Sequence, residues 1–547
     1  MRINKLWIIA LLALGAFGLQ AREPDGRPRP TRSAKKAQYR DVCANSESQI
    51  DQAINNVRAR LLGGGDCWWD FTNGRYIVPK VDPASGQPEV SSIFAGAVWL
   101  GGIDPGDNLK LACQDYRSDA RNDFWPGPLT LAGVTESFTC ADWDRHFRVT
   151  GDEIRLHLAN IAKGNLSEAD IPRGLKSWPA KGNPYFFEAW GFELPFTDQA
   201  LAGFYDNGPT YGTYEPLEGD YPSIEIRGCP LDKYPDEMIF WIYNDHGGGQ
   251  AHARTNGRPI QMEVQVQAFG YTTNDELNDM TFQRYKLINR ASDRIDSMFF
   301  AMWVDADLGC SDDDYIGCDT AKSLMYIYNQ DAVDGQPGAT CAGGVPTYGS
   351  QIPILGVDYF RGPLGVRLVP DSLDPSGFSE EEYELGMNSF MYYNRTGTGL
   401  PGTVDPSAPN EYYNYITGTW RDGTPLTYGG SGYEPGSPNA ARVRYCFTEP
   451  PNDPAGWSMC TANLPLADRR TLQASGPFTL RPGAVNELII GVPWVPDQEY
   501  PCPDMEGLFR ADKLAQGLFD NCFELLDGPD APTADWIELN KEVVVVL

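Results

Sequence analysis

The chain has 547 residues, of which 41% are hydrophobic and 12% aromatic, so it can bury a large core and is not a disordered polymer. Its formal net charge of −30 argues against nucleic acids and anionic membrane surfaces as partners, because phosphate binding needs clustered cations. The 57 glycines and 43 prolines indicate many turns and a β-rich body.

The first 21 residues have the organisation of a cleaved signal peptide. Arg2 and Lys5 are the charged start, Leu6 to Leu19 is apolar, and the segment ends on Ala21. The apolar run is short for a membrane span; a retained anchor is the alternative. Residues 22–42 are rich in Pro, Gly, Lys and Arg, which indicates a flexible linker. The sequence therefore predicts an exported protein, extracellular or held at the cell surface, with no transmembrane span after cleavage.

Twelve cysteines in an exported chain predict disulfide bonds. Two local pairs are candidates, Cys310 with Cys318 and Cys446 with Cys460. The chain has no Cys-x-x-Cys motif, so a structural zinc site is poorly supported. The complete connectivity does not follow from the spacing of the cysteines.

Residues 43–235 are predicted to form an irregular, aromatic-rich α+β region. A helix is predicted from Cys43 to about Arg60, where apolar residues recur at helical spacing. Short aromatic segments separated by Gly, Pro and Asp turns follow it and predict buried strands. A second helix is predicted over residues 142–163.

Residues 236–527 are predicted to form an antiparallel β-sandwich that ends in a helix. An apolar stripe from Leu508 to Leu525, at alternating spacings of three and four residues, predicts that helix. Strands joined by turns and not by regular helices favour a mainly β fold. The predicted strands are Met238–Tyr243, Gln261–Ala268, Met280–Asn289, Ile295–Val304, Ser323–Tyr328, Ile354–Phe360 and Glu487–Val492. Residues 528–547 are expected to be a linker followed by a terminal strand.

A set of short strings carries a family resemblance. They are Asn55–Arg60, Gly64–Asp70, Ser92–Gly96, Trp99–Gly102, Asn122–Pro128, Glu218–Pro222, Asn278–Phe282, Trp303–Gly309, Asp313–Asp319 and Leu518–Phe523. Over residues 50–547 the chain resembles the amino-terminal region of large, mostly uncharacterised secreted proteins of Bacteroidetes-type bacteria. Many of these continue into fibronectin-III-like modules and a carboxy-terminal sorting domain for type IX secretion. The resemblance implies surface or secreted cargo, with the terminal strand as the start of such a module; it implies no particular activity. No sorting domain is visible here, and one alternative is that the chain is the front of a longer adhesin.

The densest acidic cluster directly follows the predicted strand Ile295–Val304. Its members are Asp305, Asp307, Asp312, Asp313, Asp314 and Asp319. Crowded carboxylates repel one another, and a calcium ion with six to eight oxygen ligands would relieve that repulsion. The spacing is not that of an EF-hand, because Cys310 and Ile316 stand where that loop has Gly and Glu. The alternative is a solvated turn closed by a Cys310–Cys318 disulfide.

A second, weaker calcium candidate lies around residues 206–220. Its members are Asp206, Asn207, Glu215, Glu218 and Asp220. The alternative is a tyrosine-rich turn closed by Pro222. The acidic run Glu380–Glu384 is expected to be a solvated helix face or a loop.

No coherent catalytic set emerges from the sequence. Paired carboxylates would suit a glycosidase, but with 74 acidic residues such pairs arise freely. Five tryptophans could stack sugars, although most are expected in the core: Trp68, Trp69, Trp99, Trp125 and Trp190. The sequence therefore predicts a non-enzymatic exported structural or binding protein, stabilised by calcium, whose partners are other extracellular components or glycans. The alternative is a secreted carbohydrate-binding or polysaccharide-active protein.

Overall fold

The computed structural model describes residues 42–164, 166–195, 201–335, 341, 344–370, 377–437, 440–496 and 498–523, and the backbone of 535–539 and 542–546. The predicted signal peptide and nearly all of the predicted linker lie outside the described residues.

Nine strands form the first large sheet, sheet A. They are β1 (Gln49–Gln52), β2 (Arg58–Leu62), β3 (Asp66–Cys67), β4 (Tyr76–Ile77), β5 (Ala95–Ile103), β6 (Leu109–Cys113), β14 (Ile295–Asp305), β20 (Ser389–Asn394) and β21 (Arg469–Leu480). Their order is β1-β2-β3-β5-β14-β21-β20, with β4 beside β2 and β6 beside β5. Strand β14 is central, as its apolar character on both faces predicts.

Ten strands form the second large sheet, sheet B. They are β7 (Trp125–Pro126), β8 (Phe147–Thr150), β11 (Glu237–Asn244), β12 (Met262–Gly270), β13 (Thr281–Asn289), β15 (Asp314–Asp319), β16 (Leu324–Asn329), β17 (Ile354–Arg361), β22 (Val485–Val492) and β23 (Trp494–Val495). Their order is β15-β16-β17-β22-β13-β12-β11-β7, with β23 beside β17 and β8 beside β11. The seven strands predicted after residue 235 are all present.

Three further antiparallel hairpins complete the strands of the described chain. They are β9 (Phe204–Tyr205) with β10 (Tyr221–Pro222), β18 (Leu364–Pro370) with β19 (Phe378–Glu384), and β24 (Asp535–Leu539) with β25 (Glu542–Val546). The prediction of a helix face or loop for Glu380–Glu384 is wrong. These residues are solvent-exposed as expected, but they lie in β19, where pairing with β18 places Glu381 opposite Arg367. Opposite charges across a strand pair favour that register.

The described residues contain seven α-helices. They are α1 (Ser137–Trp143), α2 (Gly151–Lys163), α3 (Arg173–Ser177), α4 (Phe186–Trp190), α5 (Pro409–Ile416), α6 (Met459–Ala462) and α7 (Glu506–Asp520). Helix α2 begins after a capping box between Thr150 and Glu153, so the predicted helix at 142–163 starts later than expected. Helix α7 buries the predicted apolar stripe from Leu508 to Leu518. Within this part of the chain, every helix is too short or too polar to cross a bilayer.

The two large sheets pack face to face around a shared core. Phe300 in β14 contacts Tyr285 in β13 and Tyr359 in β17, with ring centroids 5.2 and 6.3 Å apart. The Tyr76 hydroxyl in β4 hydrogen-bonds to the Thr281 side chain in β13 at 3.0 Å. The predicted mainly β, antiparallel sandwich-type body is therefore confirmed. Strands from both predicted regions, 43–235 and 236–527, contribute to each large sheet.

The helix predicted from Cys43 to Arg60 is wrong, because this segment forms the β1–β2 hairpin. Ile50 lies opposite Leu61 across the strand pair, so both side chains reach the same core. The chain reverses at Asn55, whose side chain accepts from Val57 N at 3.0 Å and donates to the Met280 carbonyl at 2.7 Å. The apolar spacing that suits one helix face also suits two strands separated by this turn, and pairing with sheet A selects the strands.

Both predicted disulfides are wrong. The four disulfides are Cys43–Cys140, Cys229–Cys522, Cys310–Cys341 and Cys460–Cys502. Cys318 and Cys446 are buried thiols, as are Cys67 and Cys113. An extended strand rises about 3.3 Å per residue, so β15 carries Cys318 beyond the ~7 Å Cα separation that a disulfide with Cys310 tolerates. Four disulfides are consistent with export to an oxidising compartment.

Candidate functional site

A cleft opens at one end of the central strands of sheet A. Strand β14 ends at Asp305, which lies opposite Ala95 at the start of β5 and opposite Arg470 near the start of β21. Loops that enter and leave these strands therefore meet at this end. The cleft has a volume of about 750 Å³ and is called the acidic cleft below. Its lining includes aromatic, acidic and basic side chains: Trp69, Phe71, Phe94, Tyr116, Asp305, Asp307, Arg395, Asp468 and Arg470.

Arg470 organises the floor of the acidic cleft. Its guanidinium pairs with Asp305 at 3.4 Å and with Asp468 at 2.5 Å. The Tyr116 hydroxyl donates to Asp305 and accepts from Arg470 Nη2 at 3.0 Å. Asp305, Asp468 and Arg470 are each more than nine-tenths buried, so these contacts fix their positions.

Of the three carboxyl groups on this floor, that of Asp307 has the fewest hydrogen-bond and ion-pair partners. One of its oxygens lies within 4.8 Å of oxygens of Asp305 and Asp468. Its Oδ1 is shielded from solvent and has no hydrogen-bond donor. Burial, together with repulsion from Asp305, raises the pKa of Asp307 well above its usual range, and burial raises the pKa of Asp305 to about 7 in spite of Arg470. Near neutral pH the floor can therefore both donate and accept hydrogen bonds.

Aromatic rings form one wall of the acidic cleft. Trp69 makes edge-to-face contacts with Phe71 at 5.3 Å and with Tyr116 at 5.7 Å. Tyr116 in turn contacts Phe94 at 5.8 Å and Trp303 at 5.3 Å, which anchors the wall to the core. The Phe71 side chain is 40% exposed and presents apolar surface to the cleft. The acidic cleft thus places a charged, hydrogen-bonding floor beside an aromatic surface.

The structure divides the six aspartates of the predicted calcium cluster. Asp305 and Asp307 lie in the acidic cleft, and Asp312 adds negative charge near Asp307 and Asp468. Asp319 lies apart, where its carboxylate accepts from Ala321 N at 2.9 Å.

The remaining two aspartates join a residue from a later loop. Asp313 and Asp334 lie together, and Asp314 lies close enough for their charges to act on it; these three residues are called the buried aspartate cluster below. Oxygens of Asp313 and Asp334 lie within 4.8 Å of each other and of Cys310 Sγ. The Cys310 sulfur is bonded to Cys341, so it offers no thiolate to a metal. The cluster is therefore an all-carboxylate arrangement, separate from the floor of the acidic cleft.

The second predicted calcium group forms a hydrogen-bonded turn. Asp220 accepts from the main-chain amides of Asn207 at 2.8 Å, Gly208 at 3.1 Å and Glu215 at 2.8 Å. The other acidic side chains act in the same way, Asp206 on Gly212 N and Glu218 on Thr210 N. Main-chain amides therefore occupy most of the carboxylate oxygens of this group. This arrangement fits the alternative interpretation, a closed turn, better than a calcium site.

The five tryptophans singled out in the sequence are each 8% exposed or less, so they serve chiefly as core residues. Four residues that matter for the two acidic sites were missed: Tyr116, Asp334, Asp468 and Arg470. Asp468 and Arg470 belong to the triplet Asp468-Arg469-Arg470 at the start of the long, largely buried strand β21, whose mixed sequence does not reveal its burial. Tyr116 and Asp334 lie in loops, also without a usable pattern.

A scan against protein-family models found no match, and a search of curated proteins found no similar sequence. The acidic cleft and its surroundings are therefore the features that bear on function.

Proposed function

We propose that this protein is an exported, non-enzymatic binding protein that holds a glycan in the acidic cleft. The observation that carries the proposal is the meeting of Asp307, Arg470 and the exposed Phe71 ring in one cleft of about 750 Å³. Ligand sites of this size usually combine apolar walls with a few oriented polar groups. Surface localisation and glycan partners are part of the same proposal.

A sugar offers the chemistry that this cleft can recognise. Its hydroxyl groups donate to carboxyl oxygens and accept from guanidinium groups, so Asp307 and Arg395, which both line the cleft, can bind it. Its C–H faces are apolar and can lie against an aromatic ring such as Phe71. The Arg470 pairs with Asp305 and Asp468 hold the floor in place before the ligand arrives, which reduces the ordering that binding requires.

Carboxylate geometry favours binding over hydrolysis. Glycosidases use two acidic side chains that act as separate acid and base or nucleophile, about 5–5.5 Å apart in retaining and 6.5–9.5 Å apart in inverting enzymes. Asp305 and Asp468 are both paired with Arg470, so neither is free to act as a separate acid or nucleophile. Asp307 is the one carboxyl group of the floor that lacks an ion pair with Arg470 among the described contacts. The polysaccharide-active alternative is therefore the weaker of the two.

Calcium belongs to the proposal as a structural ion and not as a reagent. The predicted acidic clusters motivate it, and hard oxygen ligands are those that calcium prefers.

The test is a glycan array probed with the mature, oxidised protein, followed by calorimetry on any hit. The Asp307→Asn variant should lose binding about tenfold or more, because it replaces a carboxyl group with two acceptor oxygens by an amide with only one. Glu188→Gln, a change at an exposed acid on α4, is the matched control and should bind as the wild type does. Absence of any glycan ligand would overturn the proposal. Release of reducing ends from a bound polysaccharide would establish the enzymatic alternative.

A further inference from the structure

The buried aspartate cluster concentrates negative charge in a place that water does not reach. Asp313, Asp314 and Asp334 are 1, 2 and 2% exposed. Asp314 begins strand β15 and Asp313 precedes it, while Asp334 comes from the loop after β16. Isolated buried carboxylates are strongly unfavourable unless they are protonated, paired or bound to a metal.

Oxygen atoms without partners point to a missing ligand at this cluster. Asp313 Oδ1 and Asp314 Oδ1 are shielded from solvent and have no hydrogen-bond donor. The same is true of Oδ1 of Asn329, a fully buried residue that lies directly opposite Asp314 in the β15–β16 pair. The other carboxylate oxygens of Asp313 and Asp314 accept from the main-chain amides of Gly335 and Leu308 at 2.9 and 2.7 Å. Asp314 and Asn329 face each other on paired strands and Asp313 directly precedes the first of these strands, so the three oxygens without partners are a second observation, independent of the acidic composition.

Basic side chains do not neutralise this cluster as Arg470 neutralises the cleft floor. Within the described chain, no Lys, Arg or His side chain forms an ion pair with Asp313, Asp314 or Asp334 within 4.0 Å. Arg469 lies nearby, but its guanidinium donates to the main-chain carbonyl of Asp314 at 2.9 Å.

We propose that Asp313, Asp314 and Asp334, with the amide oxygen of Asn329, bind a calcium ion. Every donor in this set is a hard oxygen, and calcium takes six to eight of these at 2.3–2.6 Å, completing its shell with main-chain carbonyls or water. The set contains no imidazole and no thiolate, which disfavours zinc and copper.

The calcium site also supports the acidic cleft, an extension that rests on the proposed function. Asp334 accepts from Cys310 N at 3.0 Å and from Tyr348 N. Gly309 and Ser311, on either side of Cys310, line the acidic cleft, as do Gly344 and Pro346 just before Tyr348. The ion therefore holds two segments of the cleft wall, and its removal should weaken glycan binding without touching the floor.

The test measures calcium directly on the mature, oxidised protein. Metal analysis after purification, and calorimetric titration with CaCl₂ after chelation, should both give one tight equivalent. The Asp313→Asn/Asp314→Asn double variant should bind calcium at least about tenfold more weakly, because charged ligands set the affinity of such sites. Because Asn relieves the carboxylate repulsion, this variant should still fold, and in chelator it should melt at or above the wild-type temperature. Glu188→Gln is the control for uptake.

Each outcome decides a different claim. The proposed calcium site would be overturned if neither metal analysis nor calorimetry finds calcium on the wild type, or if the double variant binds calcium as the wild type does. Loss of calcium in Asp307→Asn but not in the double variant would also overturn it, because the ion would then belong to the acidic cleft. If calcium binds as expected but chelator leaves the glycan affinity unchanged, only the claim that the ion supports the acidic cleft would be overturned. Calcium uptake without any glycan ligand would leave the site standing and overturn the proposed function.

Discussion

The side chain of Asp512 in helix α7 hydrogen-bonds to the side chain of Asp358 in strand β17. Both residues are at least 96% buried, at the face where α7 packs on sheet B. Two carboxyl groups in contact share a proton, because two buried negative charges so close repel strongly. Burial accordingly raises the pKa of Asp358 well above its usual range and that of Asp512 to about 6, while Lys322 nearby favours the charged forms.

This acid pair predicts a pH-dependent stability. The folded protein keeps a proton on Asp512 that the unfolded chain, with a pKa near 3.8, has released. The free energy of unfolding should therefore fall as the pH rises from about 4 through about 6, and the proton held by Asp358 extends this fall to higher pH. In Asp512→Asn the amide can donate to Asp358, so we expect a gain of roughly 1–3 kcal/mol at pH 8 and a flatter profile. Urea unfolding at several pH values measures both the gain at pH 8 and the slope of the profile. If the stability of the variant depends on pH as strongly as that of the wild type, the acid pair is not the cause of that dependence.

The buried ion pairs of Arg470 predict a large loss of stability on truncation. Arg470→Ala leaves Asp305 and Asp468 without their guanidinium, and breaking a buried pair typically costs 3–5 kcal/mol. Arg481→Ala is the matched control, because Arg481 pairs with Glu380 at the surface, where both side chains are at least 60% exposed. That change should cost about 1 kcal/mol or less. Similar losses in the two variants, measured by urea unfolding, would show that the Arg470 cluster is not a stabilising centre.

The cysteines predict a definite thiol count. Cys67, Cys113, Cys318 and Cys446 are buried, and burial raises the pKa of each thiol well above its usual range. Buried protonated thiols react poorly. Ellman's reagent should therefore find essentially no reactive thiols in the folded protein and about four per chain in guanidinium chloride, as the cysteines outside the four disulfides require. A count near zero after unfolding would mean that these cysteines are also paired.

The exposed Phe71 ring predicts a loss of glycan affinity on truncation. If the sugar lies against this ring, Phe71→Ala should weaken binding up to about tenfold, because a contact of this kind contributes about 0.5–1.5 kcal/mol. Phe187 is similarly exposed, at 54%, but lies on α4, so Phe187→Ala is the matched control. Calorimetry with a glycan from the array measures both. Equal affinity in Phe71→Ala and the wild type would remove the aromatic wall from the binding site.

The sequence predicts the later strands well because local pattern and tertiary environment agree there. Strands β11 to β14 combine apolar runs or strict alternation with clear turns, and the stripe of α7 has a single helical period. The segment before Arg60 lacks such agreement, because its apolar spacing suits one helix or two strands, and pairing of β2 with β3 and β4 decides between them. Short strands that depend on distant neighbours are therefore where local pattern gives the wrong answer.

For a related reason, the sequence predicts only some of the residues of each candidate site. Asp305 and Asp307 are visible as an acidic run, whereas Asp468 directly precedes β21 of sheet A, more than 150 residues later. The cysteine predictions followed closeness in sequence, but the real partners are set by which loops meet at the sheet ends, as Cys310 and Cys341 show. Long-range pairing in an antiparallel sandwich brings such residues together and leaves little trace in local composition.

The Cys229–Cys522 disulfide closes a loop of the chain with a sequence separation of 293 residues, which includes most strands of sheet B. A protease that cuts an exposed loop inside this ring, for instance near the half-exposed Tyr428, therefore cannot release a fragment. The nicked molecule would migrate as one species without reductant and as two with it. Such a ring keeps a protein with one cut in its backbone together as a single covalent body.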